Sequence, residues 1–414
     1  MLNCFYDCYT ILNKVYSEGA YFKQALNQTI IEEKNRALTT KICYGVLDKD
    51  IELSYYLKNL ADKSPKLAIR TIIKISMYCI KYLEKKPYAV IDNAVELTKK
   101  LGKKGASGFV NAILRKFITA KIPLPKSKDQ FLSVKYSYPT FVVSELLKTY
   151  GEERAEKILS CQNVTTTLCF YDVNGEEYLK NLGVKFEKTP FDNVYYTKNF
   201  IRNADYDKGV YTYQAIGSVA ICDVVDACEN LLDCCSAPGG KSVRLSYRCD
   251  SVTSFDIHEH RVELVKDYAR RMKRNNITAS LKDGKVYDQT LKECFDAVLV
   301  DAPCSGTGVF NDNPDMKLNK TLDTVKELNK EQISILKTAS RYVKVGGYLY
   351  YSTCSIMSSE NYDIIEKFLK NNDNYQICNI NSKLNHQNIN GTNLFLPDIS
   401  DGLGFYVAKL KRVK

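Results

Sequence analysis

Apolar residues recur at three- and four-residue spacing through the first part of the chain. "NQTIIEEKNRALTTKICYGVL", "PKLAIRTIIKISMYCIKYL" and "AVIDNAVELTKKL" each carry one apolar stripe, and Pro65, Pro87 and Gly102 interrupt them. That period belongs to amphipathic helices, so residues 1–125 are expected to form an all-helical bundle. "KIPLPKSKDQ", residues 121–130, reads as a Pro- and Lys-rich connector. The period then shortens. "TFVVSELLKTYG" is still helical, but "TTTLCFYDV", "VKFEK", "NVYYT" and "GVYTYQ" are short β-rich runs flanking "GEEYLKNLG". Residues 126–215 are therefore expected to form a small α+β domain of ferredoxin-like type.

From residue 216 to 414 strands and helices alternate. Strands are expected at "NLLDCC", "SVTSFDI", "TASLKD", "FDAVLVD" and "GGYLYYST". Helices are expected after Gly240 and at "RVELVKDYARRMKRNN", "KEQISILKTASRYV" and "SENYDIIEKFLKNN", while "YQICNI" and "GFYVAKLKR" close the sheet. This order predicts an α/β domain with a doubly wound, mainly parallel sheet.

Composition changes the picture in two places. The net charge of +11 is concentrated at the front, where residues 1–125 hold 21 Lys and Arg against 11 Asp and Glu. A basic helical domain on a near-neutral remainder points to a polyanionic partner. The 15 cysteines are an odd number without Cys-x-x-Cys spacing, and only three histidines accompany them. Reduced, mostly buried thiols are expected, with no metal and no membrane segment, in a cytoplasmic, monomeric enzyme.

Candidate chemistry collects at the strand ends. "LLDCCSAPGGKS" follows the first strand, and a Gly-rich turn opening a helix allows close backbone approach to a ligand. It is not a phosphate loop, because Cys235 stands where the first glycine of that motif belongs, and the G-x-G-x-x-G fingerprint is absent. Acids end the strands in succession: Asp233, Asp256, Asp283 and Asp301. Asp256 is placed to accept hydrogen bonds from ribose hydroxyls, and Asp283 to meet an exocyclic amine, so one nucleoside-like ligand along the switch edge is expected. Cys304 in "VLVDAPCSGTGVF" and Cys354 in "YYSTCSIM" both follow apolar strands, bringing two thiols to the same edge.

"DCCSAPGGKS", "FDAVLVDAPCSGTGV", "NPDMK", "GGYLYYSTCSI" and "DGLGFYVAKLK" resemble the motif set of the NOL/NOP/Sun RNA cytosine-5 methyltransferases. "ICYGVLDKDIELSYYL" and "AVIDNAVELTKK" with "GFVNAILRKF" resemble the NusB-like domain of its bacterial Sun/Fmu/RsmB branch. The resemblance implies a Rossmann-like methyltransferase domain behind a NusB-like RNA-binding domain, acting on one cytosine of 16S ribosomal RNA, of the cytosine-967 type. It implies S-adenosylmethionine as cofactor, held by Cys235, Ser236, Ala237, Pro238, Gly239, Gly240, Lys241, Asp256, Asp283 and Asp301. It assigns attack on the base to Cys354 and breakdown of the adduct to Cys304, with Asp301 on the cytosine edge; Lys241 could fix the loop, line the pocket, or be a helix-start residue in solvent. The residues alone leave both thiols open as nucleophile, since DNA cytosine methyltransferases use the cysteine of their Pro-Cys motif. Transfer RNA as substrate, or an inactive catalytic fold serving as an RNA-binding module, are the alternatives. Tyr195, Tyr196, Tyr211 and Tyr213 could offer stacking surfaces to RNA, or pack within the small domain. Two departures stand out: Ala215 follows Gln214 where the family usually has Asp, and "NPDMKLN" lacks an aromatic after its Lys.

Overall fold

The computed structural model describes residues 2–161, 165–198, 200–318 and 320–414. The chain divides into two compact units, residues 1–160 with 312–320, and residues 161–311 with 321–414. No helix among the described residues is long and apolar enough to cross a membrane.

The first unit is helical: α1 (Leu2–Glu18), α2 (Phe22–Asn27), α3 (Glu33–Asp48), α4 (Asp50–Leu60), α5 (Leu67–Lys81), α6 (Pro87–Lys100), α7 (Ser107–Thr119), α8 (Lys128–Tyr136) and α9 (Thr140–Ser160). The expected stripes are its core. Helix α1 buries Cys4, Phe5, Cys8, Ile11, Leu12 and Val15, and α5 is buried continuously from Thr71 to Cys79. Helices α3 and α5 approach closely because residue 45 is glycine; an added Cβ there would lie 1.9 Å from Tyr78 Cζ. The expected helix over 140–151 continues beyond it, with a break at Gly151, whose φ of 73° suits glycine. The 121–130 connector is shorter than expected, since α8 begins at Lys128.

Residues 312–320 belong to this helical unit although they lie far along the chain. Lys317 is buried there, and its ammonium donates to Asp48 Oδ1 at 2.8 Å and to the Asp48 carbonyl at 3.2 Å. Burial lowers the pKa of Lys317, while the Asp48 carboxylate opposes that shift. The Phe22 N–H donates to Asp315, and Lys23 pairs with Asp312. Asn319, the last residue of "NPDMKLN", lies outside the described residues.

The second unit carries two sheets. Strands β1 (Thr166–Phe170), β2 (Phe186–Lys188), β3 (Val194–Thr197) and β4 (Tyr211–Tyr213), with α10 (Gly175–Asn181) and α11 (Ala204–Asp207), form an antiparallel sheet in the order β2-β3-β1-β4. Its βαββαβ order is the expected ferredoxin-like arrangement. Tyr195 and Tyr211 are buried in its core against Leu168, Phe170 and Leu179, so they are not RNA-stacking surfaces. Tyr213 packs on Tyr206 and Tyr211, and Tyr196 donates its hydroxyl to Asp401.

The larger sheet comprises β5 (Cys228–Asp233), β6 (Cys249–Asp256), β7 (Ile277–Leu281), β8 (Phe295–Asp301), β9 (Val343–Thr353), β10 (Tyr375–Cys378), β11 (Gln387–Ile389), β12 (Thr392–Phe395) and β13 (Phe405–Arg412). Its order is β11-β12-β13-β9-β8-β5-β6-β7, with β10 also on β13. Strands β5 to β9 pair in parallel, as the alternating pattern predicts, and the remaining strands add an antiparallel edge. Helices α12 (Ile216–Val224), α13 (Gly240–Leu245), α14 (Glu259–Arg271), α15 (Leu322–Ser340) and α16 (Tyr362–Leu369) complete the unit. Order reverses between β5 and β8, and a crevice at the carboxyl ends of the strands follows from that switch.

Removing one partner of a buried ion pair strands the other charge. Asp48→Ala is therefore expected to destabilise the protein by about 3–5 kcal/mol. Lys317→Met should cost less, because Asp48 keeps Lys49 at 2.9 Å. Urea unfolding followed by circular dichroism checks the order of the two variants; equal stability of Asp48→Ala and the unchanged protein would contradict it.

Candidate active site at the strand ends

A cavity of about 510 Å³ opens at the carboxyl ends of the parallel strands. This is within the usual range for small-molecule sites. Strand-end acids form much of it: Asp256 ends β6, Asp283 lies two residues past β7, and Asp301 ends β8. Asp256 is buried; its Oδ1 accepts from the His258 N–H at 3.2 Å, and Arg261 Nε lies 3.6 Å from Oδ2. Asp283 Oδ1 accepts from the Lys285 N–H at 2.9 Å. The remaining lone pairs of these carboxylates are acceptors for hydroxyl or amine donors.

The fourth acid, Asp233, does not line the cavity. It is fully buried, accepts from Ser242 Oγ at 2.7 Å, and burial pushes its carboxyl up to about 7. Its work is to tie the end of β5 to α13.

The Gly-rich turn contributes unevenly. Cys235 and Ala237 face the cavity. Ser236 turns inward, its N–H and Oγ both donating to the Phe255 carbonyl at 2.9 and 3.0 Å. Pro238 leads into Gly239, which has a φ of 103° and packs against Val265 on α14, so a Cβ would be both strained and crowded. Gly240 opens α13, which spans only six residues, and its carbonyl accepts from Gln214 Nε2 at 3.4 Å.

Lys241 sits behind the turn with its ammonium 2.6 Å from Asp301 Oδ2. Burial acts to lower its pKa, but the Asp301 carboxylate outweighs it and holds the amine above its ordinary range. Ser352 Oγ donates to the other oxygen of Asp301 at 2.7 Å. Both contacts fix the carboxylate plane at the cavity wall.

The two thiols meet at the same wall. Strands β8 and β9 run parallel with Asp301 opposite Ser352. Cys304 and Cys354 follow within three and two residues, and their sulfurs lie 3.0 Å apart. The hydrogen bond with Cys354, together with burial, pushes the Cys304 thiol well up.

The turns bearing these cysteines are tightly held. Gly308 N–H donates to the Cys354 carbonyl at 3.0 Å, and Gly404 N–H to the Gly308 carbonyl at 2.7 Å. A Cβ on Gly308 would lie 2.1 Å from the Gly404 carbonyl oxygen, which explains the last glycine of "SGTG" and of "DGLG". Sequence reasoning did not identify Arg261, Lys282, Lys285, Glu331 or Ile335, which also line the cavity. Their helices and turns were legible, but no local spacing marks which face meets a ligand.

Comparisons with known proteins agree with this geometry. Residues 224–411 match the family model for 16S rRNA methyltransferase RsmB/F, and residues 4–119 match that of the NusB family. A Bacillus subtilis protein named as a probable ribosomal RNA small subunit methyltransferase B is 33% identical over 386 residues, covering 88% of this chain and 86% of that protein. The ribosomal RNA small subunit methyltransferase B of Yersinia enterocolitica is 29% identical, with 96% of each chain covered. The solved structure of PH0851 superposes with a TM-score of 0.86 over 100% of this chain and 99% of that one, at 21% identity. A methyltransferase homologue from Pyrococcus horikoshii matches with a TM-score of 0.60, covering 70% of this chain and 100% of its own, at 21% identity. The expected Rossmann-like and helical folds are thus present, and membership in a methyltransferase family supports S-adenosylmethionine as the expected cofactor. With residues 4–119 matching the NusB model, residues 224–411 matching the RsmB/F model, and a relative 33% identical along most of both chains, the chain belongs to the ribosomal RNA small subunit methyltransferase B family.

Proposed function

We propose that this protein methylates carbon 5 of a single cytosine in small-subunit ribosomal RNA, through a transient covalent bond from Cys354 to carbon 6. The observation that carries the reading is the 3.0 Å approach of Cys304 and Cys354 on the wall of a cavity lined by Asp256, Asp283 and Asp301. A lone thiol would suffice for attack; a second one beside it suits a reaction whose adduct must also be taken apart.

The donor set fits S-adenosylmethionine. Asp256 would accept from the ribose hydroxyls, Asp283 would meet the adenine amine, and Cys235 and Ala237 would pass along the ligand at the turn. When bound, S-adenosylmethionine supplies an electrophilic methyl group on a sulfonium centre. Gly239 and Gly240 shape the turn, while Ser236 and Pro238 anchor it.

Carbon 5 of cytosine is a poor nucleophile until carbon 6 carries an addend. The thiolate of Cys354 adds at carbon 6, and the ring's double-bond pair moves toward carbon 5, which can then take up a methyl group. Asp301, held by Lys241 and Ser352, would accept a hydrogen bond from the cytosine edge and favour the ring protonated at nitrogen 3, which draws in the displaced electron pair. In this scheme Lys241 is a positioning residue acting through Asp301. Release requires a base, Cys304 in its thiolate form or water in the cavity, to take the proton from carbon 5; that proton's bonding pair restores the double bond as the C6–S bond breaks and the thiolate returns to Cys354. Cys304, its sulfur 3.0 Å from that of Cys354, lies where it can assist that release.

RNA binding is assigned chiefly to the helical residues 1–125, whose surplus of Lys and Arg suits phosphate contacts. The small sheet within residues 126–215 would serve as a second platform beside the catalytic residues 216–414. The target base has to leave its stack to reach a strand-end cavity.

Two outcomes are expected. Asp256→Ala and Asp283→Ala should each weaken S-adenosylmethionine binding about tenfold or more, the effect of losing a charge-assisted hydrogen bond. Isothermal calorimetry showing unchanged affinity in both would remove the cofactor assignment. Cys354→Ala should bind RNA yet give no adduct and no 5-methylcytosine by bisulfite sequencing of small-subunit RNA. Cys304→Ala should methylate and then stall as a protein–RNA complex on a denaturing gel. The reverse pattern would make Cys304 the nucleophile.

A further inference from the structure

Behind the two thiols lies a carboxylate that the reaction scheme above does not use. Glu360 is fully buried at the end of the 3-10 turn Ser358–Glu360 that precedes α16. Burying a carboxylate is costly unless its lone pairs are met by donors. Here four donors meet it. Oε1 accepts from the Ser305 N–H at 2.8 Å and from Gln332 Nε2 at 3.1 Å. Oε2 accepts from Ser355 Oγ at 2.5 Å and from Ser305 Oγ. Ser305 follows Cys304 directly, and Ser355 follows Cys354 directly. One carboxylate thus grips both cysteine-bearing turns.

We propose that Glu360 is a positioning residue for the reaction, fixing the Cys304 and Cys354 turns against each other so that the two sulfurs keep their working separation. This rests on the covalent reading of the function. An acceptor-only group has a particular merit at this place. It obliges both serine hydroxyls to donate toward it, which leaves the Ser355 oxygen free to accept from the Met357 N–H at 3.0 Å. Thr307 Oγ1, 2.9 Å from Ser355 Oγ, accepts from the Ile356 N–H at 3.1 Å and closes the network between the turns. The next residue extends the grip: Asn361 Oδ1 accepts from Thr353 Oγ1 at 2.6 Å, and its Nδ2 donates to the Ser355 carbonyl at 2.9 Å. Cys354 is therefore held through the residues on both sides of it. Gln332 joins the second turn from α15, donating to the Pro303 carbonyl at 2.9 Å as well as to Glu360.

The test compares Glu360→Ala with Glu360→Gln in the full-length protein. The probe is small-subunit ribosomal RNA transcribed with 5-fluorocytidine, incubated with S-adenosylmethionine; once carbon 5 is methylated its carbon–fluorine bond blocks release and traps the covalent adduct. Loss of alignment by an ångström costs up to about 100-fold, so Glu360→Ala should form adduct about 10- to 100-fold more slowly, with KM for RNA within about twofold of the unchanged protein. Glu360→Gln keeps one oxygen for the Ser305 N–H and Gln332 donors while its amide NH2 faces the two serine hydroxyls, and it should restore part of that rate. If Glu360→Ala fails to fold, the Ser305→Ala, Ser355→Ala double variant carries the same test, because it removes two grips without opening a large cavity. An adduct rate equal to the unchanged protein in Glu360→Ala, or in the double variant, overturns the proposal. So does a parallel loss of RNA affinity and rate that glutamine does not rescue, which would mark Glu360 as a general stabiliser of the fold. Failure of the unchanged protein itself to form adduct overturns the covalent reading and, with it, this assignment.

Discussion

The parallel pairing of β8 with β9 is the constraint on which the rest of the site depends. Its register sets Asp301 beside Ser352, and each strand continues into a turn carrying one cysteine. Parallel neighbours point their carboxyl ends the same way, so two residues 50 positions apart in sequence arrive with their sulfurs 3.0 Å apart. A one-residue slip would reverse the faces of every side chain on the strand and dismantle the acid, the lysine pair and the thiols together. The antiparallel edge built by β13 secures this register from the other side, since β13 pairs with β9 from Tyr348 to Thr353.

Among the described residues, two lysines are buried and a third is mostly so, and a carboxylate meets each of the three. Lys74 in α5 lies 2.6 Å from Asp50, Lys317 2.8 Å from Asp48, and Lys241 2.6 Å from Asp301. The first two hold the helical unit together, and the second ties residues 312–320 to it. The third places a charge pair against a reactive cavity. Such pairs offer modest net stability but penalise alternative packings, because either charge left alone in the interior is costly. Glu360 follows a different solution, with neutral donors in place of a cation, which suits a site where an extra positive charge would perturb two thiols.

Much of this was legible in the sequence because its cues are local. Period-2 and buried runs marked β5 to β9, and an acid closing each run marked the strand ends, so Asp256, Asp283 and Asp301 could be named before any fold was known. Asp233 had the same local signature and lies beneath the site, because burial depends on what packs above a strand end. The short strands β11 and β12 escaped notice; "QNI" and "TNLF" are too brief and polar to show a period. Glu360 and Lys317 were equally silent. Each acts through partners more than 25 residues distant, Gln332 and Ser305 for one and Asp48 for the other, and pairing at such separations leaves no trace in spacing. The tyrosines of the small sheet could be read from the sequence either as stacking surfaces or as core, and packing makes Tyr195 and Tyr211 part of a core.

The central claim is a division of labour between two adjacent sulfurs, with Cys354 forming the bond to the base. Peptide mapping by mass spectrometry tests it most directly. The protein is incubated with 5-fluorocytidine-substituted small-subunit RNA and S-adenosylmethionine, and the trapped complex is digested with nuclease and protease. A nucleotide mass on the peptide containing Cys354, with Cys304 unmodified, is the expected result. A nucleotide on Cys304 would contradict it.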